Sequence, residues 1–360
     1  MDKRDGRIFL QNLIGNGEDK DMDYSEVLKR AKQTIGPNCK VCPECNGLAC
    51  GHTLPGPGSK GPGNGANDNY KAWRRIRLNM DAIVPNTPID TSTELFGRKL
   101  AFPLVSAPIG SIAKQYNPTD DVRDFNETCM AACESRGILH FYSTGLEPRV
   151  HTAAIESRLR HDNCGIPVIN PEADENIIKQ MELCNADRSP LAITVVVDSA
   201  GLPHLKTGHG VSGTKSVEQL QRLKEAAKVP FVVKGVMTAK SALKAVEAGA
   251  DAIIVSNHGG RVLSDTPGTA EVLPEIAAAV KGKTTIIVDG GIRSGLDIFK
   301  ALALGADVCM ICRPVLIAYY GGKTEGMECY FDKLKAELVD TMYMCGARSV
   351  SDICGEMVRV

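Results

Sequence analysis

No apolar run in this chain of 360 residues approaches the ~20 residues that a helix needs to cross a bilayer. The N-terminal stretch MDKRDGRIFLQNLIGNGEDKD is charged and has no long apolar core. It does not look like a secretory signal, and a cytoplasmic location is expected. An excess of one charge is missing too: 42 lysines and arginines against 43 aspartates and glutamates leave a formal −1. That balance gives no reason to expect a nucleic-acid or membrane-surface partner. Two nucleotide fingerprints are absent. The stretch GHTLPGPGSKGPGNGAND (51–68) lacks the Gly-Lys-Ser/Thr ending and the preceding strand of a phosphate loop. The first apolar strand is not followed by the Gly-x-Gly-x-x-Gly turn of a dinucleotide fold. Residues 39–69 are expected to be irregular, with Gly61-Pro62-Gly63 a flexible cover.

Cysteine, by contrast, is plentiful. An odd count of 13 in a large chain without a signal argues against a disulfide framework. Most are scattered singly and suit core packing. Four are clustered, in the pattern Cys39-x2-Cys42-x2-Cys45-x4-Cys50. Four thiolates so spaced can hold zinc or an iron–sulfur cluster, with His52 as a substitute ligand. The alternatives are redox-active or lid-forming thiols, or a loop with no special role.

From about residue 100 a regular alternation begins. Eight short apolar runs occur at 102–108, 139–144, 167–170, 191–198, 230–235, 252–257, 285–291 and 308–314. Between them lie amphipathic stretches such as AKSALKAVEAGA (239–250) and GLDIFKALALGA (295–306), each closed by glycine. Near-continuous apolar strands alternating with helices give a parallel sheet covered by helices. Eight units predict an α/β protein with a (β/α)8 TIM barrel over 100–360, and a helical, Cys/Gly/Pro-rich extension over 1–99 that packs on it.

Chemistry in such a barrel collects at the C-terminal strand ends. Those ends here carry Ala107-Pro108, Ser143, Asn170, Asp198, Lys234, His258 with Arg261, Asp289-Gly290-Gly291 with Arg293, and Cys312-Arg313. Gly290, Gly291, Arg293 and Arg313, with the positive end of the helix that follows, suit a phosphate. Lys234 ends an apolar strand, where a cation must face the open mouth or an anion. His258 can take a proton near neutral pH. Arg261 can grip a carboxylate with two parallel hydrogen bonds. Cation, base and clamp are the set needed to oxidise a 2-hydroxy acid.

The stretches VVKGV (232–236), IIVSNHGGRVL (253–263), VDGGIRSGLDIFKALALGA (288–306) and CRPVL (312–316) resemble the FMN-dependent α-hydroxy-acid oxidase and dehydrogenase family, which includes glycolate oxidase, lactate oxidase and flavocytochrome b2. FPLVSAPIG (102–110), Ser143, VVVD (195–198) and GANDNY (65–70) extend the resemblance more loosely. It implies FMN in the mouth, its phosphate on Gly291, Arg293 and Arg313. It implies Lys234 beside the flavin N1–O2 edge, Ala107, Pro108 and Ser143 lining the ring, and Ser256 bonding its edge. Asp289, Gly290 and Cys312 fall among the cofactor-contacting positions. His258 becomes the base for the substrate hydroxyl, Asp198 its partner and Arg261 the carboxylate clamp. The substrate is a small 2-hydroxy acid and the assembly a homo-oligomer, a tetramer in many members. The acceptor is left open among oxygen, a quinone and a partner protein.

The substrate half departs from the family. Its N-terminal tyrosine is missing, the third strand ends in VINPEAD (168–174) without the usual tyrosine, and Val196 replaces a threonine. A second arginine is absent from SAGLPHLKTGHG (199–210), and Cys312 stands where the family has glycine. Two other functions therefore stay open: another FMN barrel enzyme, such as a type-2 isopentenyl-diphosphate isomerase, or a flavin and metal electron-transfer or redox-sensing module.

Overall fold

The computed structural model describes residues 22–145, 147–202 and 213–360. Each of the eight apolar runs forms one strand: β1 (Leu104–Ser106), β2 (Leu139–Ser143), β3 (Gly165–Ile169), β4 (Ile193–Val196), β5 (Phe231–Val236), β6 (Ala252–Val255), β7 (Thr285–Val288) and β8 (Val308–Ile311). All neighbours are parallel, and β8 pairs with β1 to close the barrel. Alternate residues divide as the two-residue period of a strand requires. Val105, Phe141, Ile166, Val196, Val232, Ile254, Ile287 and Met310 fill the barrel. Leu104, Ile193, Val233, Ile253, Ile286 and Cys309 face the helices. Leu95 and Leu100, from the hairpin Thr93–Leu95/Arg98–Leu100, join the inner cluster.

The extension is built into the barrel. Helix α1 (Tyr24–Thr34) is capped by Asp23 and buries Val27 and Ala31. It lies against the last helix, Arg313–Cys345, so closely that a Cβ on Gly321 would meet the Val27 carbonyl at 2.2 Å. The part of the expected N-terminal helical region that precedes Met22 lies outside the described residues. Helix α2 (Gly65–Arg75), capped by Asn64, reaches the barrel mouth. No helix among the described residues is long and apolar enough to cross a membrane.

One irregularity matters for the site. The β5–β6 register slips between Lys234 and Val236, and such a bulge re-aims the side chains beside it. Gly235 sits there at φ 108°. A Cβ on it would stand 2.6 Å from Asp198 Cβ, so glycine lets the ends of β4 and β5 close together.

Candidate active site

The strand ends surround a cleft of about 1220 Å³, part of it open to solvent. Ala107, Pro108, Ser143, Lys234, His258, Arg261, Asp289, Gly290, Gly291, Arg293, Cys312 and Arg313 all line it. Asp198 and Ser256 lie just behind the wall. Asn170 lines it too, so residues singled out from sequence on seven strand ends meet in one place, with Asp198 of the eighth behind them.

Lys234 is buried. Its Nζ donates to Ser256 Oγ at 2.7 Å and stands 3.3 Å from Asp289 Oδ2. Burial alone would lower its pKa, but the charges of Asp289 and Asp198 outweigh that and hold it above the ordinary lysine value. Ser256 gives its own hydrogen to Asp289 at 2.9 Å and accepts the His258 N–H at 3.0 Å. Its hydroxyl is therefore spent on ordering Lys234, Asp289 and His258.

His258 Nδ1 lies 3.0 Å from Asp198 Oδ1. Burial pushes the Asp198 carboxyl up, but the charges of His258 and Lys234 bring it below the usual aspartate value. A carboxylate on Nδ1 leaves Nε2 as the free imidazole nitrogen. His258 adopts φ 56°, in the left-handed region, and Gly259 and Gly260 follow at 64° and 78°. Such backbone costs of order 1–3 kcal/mol for a non-glycine residue and persists where packing enforces it. The packing is specific. A Cβ on Gly259 would fall 2.2 Å from Arg313 Nη2, and one on Gly260 would meet the Gly65 and Ala66 backbone within 2.7 Å. The two glycines between His258 and Arg261 thus admit Arg313 on one side and α2 on the other.

Arg261 lines the cleft with its guanidinium partly committed. Nη1 donates to the Gly56 and Gly58 carbonyls at 2.6 and 3.0 Å, and Nη2 to the Pro55 carbonyl at 3.3 Å. The segment just before the expected cover Gly61-Pro62-Gly63 is seated. Gly56, Pro57, Gly58 and Ser59 are buried, Lys60 N donates to the Gly260 carbonyl at 2.8 Å, and Gly63 N donates to Ser264 Oγ at 3.0 Å.

Arg293 and Arg313 line the cleft as well. Arg293 Nε donates to the Cys45 carbonyl at 2.5 Å and Arg313 Nη2 to the Gly259 carbonyl at 3.0 Å. Among the described residues, Arg293 Nη2 and Arg313 Nη1 are buried without a partner. Unpaired buried guanidinium hydrogens call for an anion, so the donor set fits a phosphate group here. The helix Gly295–Ala303 contributes less than expected. Its Asp297 N–H is taken by Ser294 Oγ and its Gly295 N–H by Glu337.

Several positioning residues escaped the sequence. Asn69 Nδ2 donates to Asn257 Oδ1 at 2.7 Å, and Trp73 Nε1 to the Gly290 carbonyl at 2.7 Å. Helix α2 thereby pins the loops after β6 and β7. The stretch GANDNY was its only sequence signal. Tyr116, Pro57 and Leu202 also line the cleft, and nothing in their spacing announces it.

The metal site expected from the four clustered cysteines is not formed. Among the described residues no group of three or more His, Cys, Asp and Glu side chains could hold a metal ion. Cys39 and Cys45 pack against the apolar core. Burial pushes the Cys39 thiol up to about 12, the wrong direction for a thiolate ligand. The Cys45 backbone instead serves Arg293.

Comparison with known proteins agrees with this geometry. The model of the FMN-dependent dehydrogenase family matches residues 57–204 and 204–360. A peroxisomal (S)-2-hydroxyacid oxidase of Arabidopsis thaliana is 32% identical over 326 residues, covering 81% of this chain and 87% of that protein. An L-lactate oxidase of a Roseobacter strain is 29% identical over 327 residues, covering 82% and 87%. A flavocytochrome b2 variant with pyruvate bound superposes with a TM-score of 0.77 at 22% identity, covering 98% of this chain and 90% of that one.

Proposed function

The chain belongs to the FMN-dependent dehydrogenase family, and from that premise we propose that it oxidises a small 2-hydroxy acid to the 2-oxo acid. Bound FMN supplies the two-electron acceptor for the substrate hydrogen. Arg293 and Arg313 would hold its phosphate through Nη2 and Nη1, the two guanidinium nitrogens that lack a partner among the described residues. Lys234, kept charged by Asp289 and Asp198, offers a fixed cation to negative charge that develops in the cleft.

His258 is the base. Its Nε2 accepts the proton of the substrate hydroxyl, and Asp198 on Nδ1 stabilises the imidazolium that results. Arg261 holds the substrate carboxylate. Ala107, Pro108 and Ser143 form the wall beside the cofactor. Two relatives named as oxidases of 2-hydroxy acids and of L-lactate support the substrate class. The observation that carries the proposal is the His258–Asp198 pair at 3.0 Å in one cleft with Lys234 and Arg261. A base and a carboxylate clamp suit an acid better than a diphosphate, which sets the isomerase alternative aside.

The test is His258→Ala. The variant is expected to retain FMN and to lose ~10²–10⁴ in the rate at which substrate bleaches the flavin without oxygen. Bleaching at the wild-type rate would make His258 a structural residue.

A further inference from the structure

We propose that the Pro55–Lys60 segment is a positioning element for substrate carboxylate, acting through Arg261; this rests on the function proposed above. A guanidinium carries five N–H hydrogens in a planar fork. The carbonyls of Gly56 and Gly58 take both hydrogens of Nη1, and that of Pro55 takes one from Nη2. Arg261 makes no other hydrogen bond with the described residues, so one hydrogen on Nε and one on Nη2 remain. Those two share an edge of the fork, and that edge matches both oxygens of a carboxylate. One edge of Arg261 is held by the protein and the other is left for the acid.

Three features show that the holding edge is built. Arg261 is 8% exposed, and a charged fork so deeply placed needs acceptors. The segment that supplies them depends on glycine. A Cβ on Gly58 would stand 1.9 Å from the Cys50 carbonyl oxygen, and one on Gly56 would stand 2.5 Å from that of Thr53. Lys60 then staples the segment to the loops around the cleft, its Nζ donating to the Gly201 and Val262 carbonyls at 2.7 and 2.9 Å. The second arginine and the tyrosines that the family resemblance led one to expect are missing from the sequence. A single arginine with a fixed plane substitutes for several mobile donors by losing less freedom on binding.

The test separates positioning from chemistry. Pyruvate, which cannot donate the substrate hydrogen, is titrated into FMN-loaded protein and followed by the change in the visible spectrum. The same preparations are mixed anaerobically with L-lactate and with mandelate. Lys60→Met frees the segment without a backbone clash, and Gly58→Ala displaces it. Both are expected to bind pyruvate roughly three- to tenfold more weakly than wild type, and to raise the half-saturation for the 2-hydroxy acid with little change in limiting rate. Arg261→Lys, which lacks a fork, is expected to weaken pyruvate at least as much. FMN content should stay at the wild-type level in all three. Wild-type affinity for pyruvate in both segment variants would overturn the positioning role while leaving the proposed function intact. So would a loss that tracks loss of FMN, since that is general damage to the cleft. A wild-type protein that binds no pyruvate and is bleached by no 2-hydroxy acid would overturn the function and the positioning role together.

Discussion

Asp198→Asn isolates what the carboxylate does for His258. In the wild type Oδ1 sits 3.0 Å from Nδ1, and the two side chains are 10% and 26% exposed. As His258 takes a proton, a full negative charge faces a full positive one. At about 4 Å and an effective dielectric near 20 that attraction is ~4 kcal/mol, and the exposure of the imidazole reduces it. Charged hydrogen bonds lose roughly 1.5–3 kcal/mol when the charge is removed. The limiting rate of flavin reduction should therefore fall about ten- to a hundredfold. A second effect adds to this. The new amide can donate to Nδ1 and so favour the tautomer with hydrogen on Nε2, which cannot accept the substrate proton. Asp198→Ala, which imposes no tautomer, should be less impaired than Asp198→Asn. The assay is anaerobic rapid mixing at saturating 2-hydroxy acid, with half-saturation measured alongside. A wild-type limiting rate in Asp198→Asn would refute the proposed role of Asp198.

Arg313→Ala deletes one of the two buried guanidinium nitrogens of the cleft that lack a partner among the described residues. It should weaken FMN retention by roughly ten- to a hundredfold, read by fluorescence of released flavin on dilution; unchanged retention would place the phosphate elsewhere. His151, which does not line the cleft, is buried beside Cys184 Sγ at 3.1 Å, and burial, helped by Arg158, lowers its pKa from 6.5 to about 4. Unfolded chains bind that proton first, so the effect is absent above pH 6.5, grows as pH falls and is complete below about 4, where it reaches about 3 kcal/mol. His151→Gln should flatten the loss of urea stability between neutral pH and pH about 5, and an unchanged slope would refute the assignment to His151.

The barrel was legible because buried parallel strands need unbroken apolar runs, and each of the eight runs holds one strand. The strand ends were legible for the same reason: Lys234, His258 and Asp289 interrupt apolar sequence at points where only a polar mouth can accommodate them. What Ser256 and Arg261 touch was not legible. Ser256 faces Asp289 from the neighbouring strand, and Arg261 meets carbonyls 203 to 206 positions away, contacts that no local spacing encodes. The cysteine pattern misled because spacing does not fix direction: Cys39 turned toward apolar neighbours, and the cluster did not converge. Gly56 and Gly58 read only as marks of an irregular loop. In the fold they make room for close backbone contacts and so rigidify the segment.

The central claim is that this cleft removes hydrogen from a 2-hydroxy acid. The most direct measurement is to mix FMN-loaded wild-type protein anaerobically with a panel of 2-hydroxy acids, follow visible absorbance, and identify the product. Bleaching by at least one acid, with one equivalent of the matching 2-oxo acid formed per flavin, is the predicted result. Flavin that stays oxidised with every acid, yet is bleached by a chemical reductant, would contradict the claim.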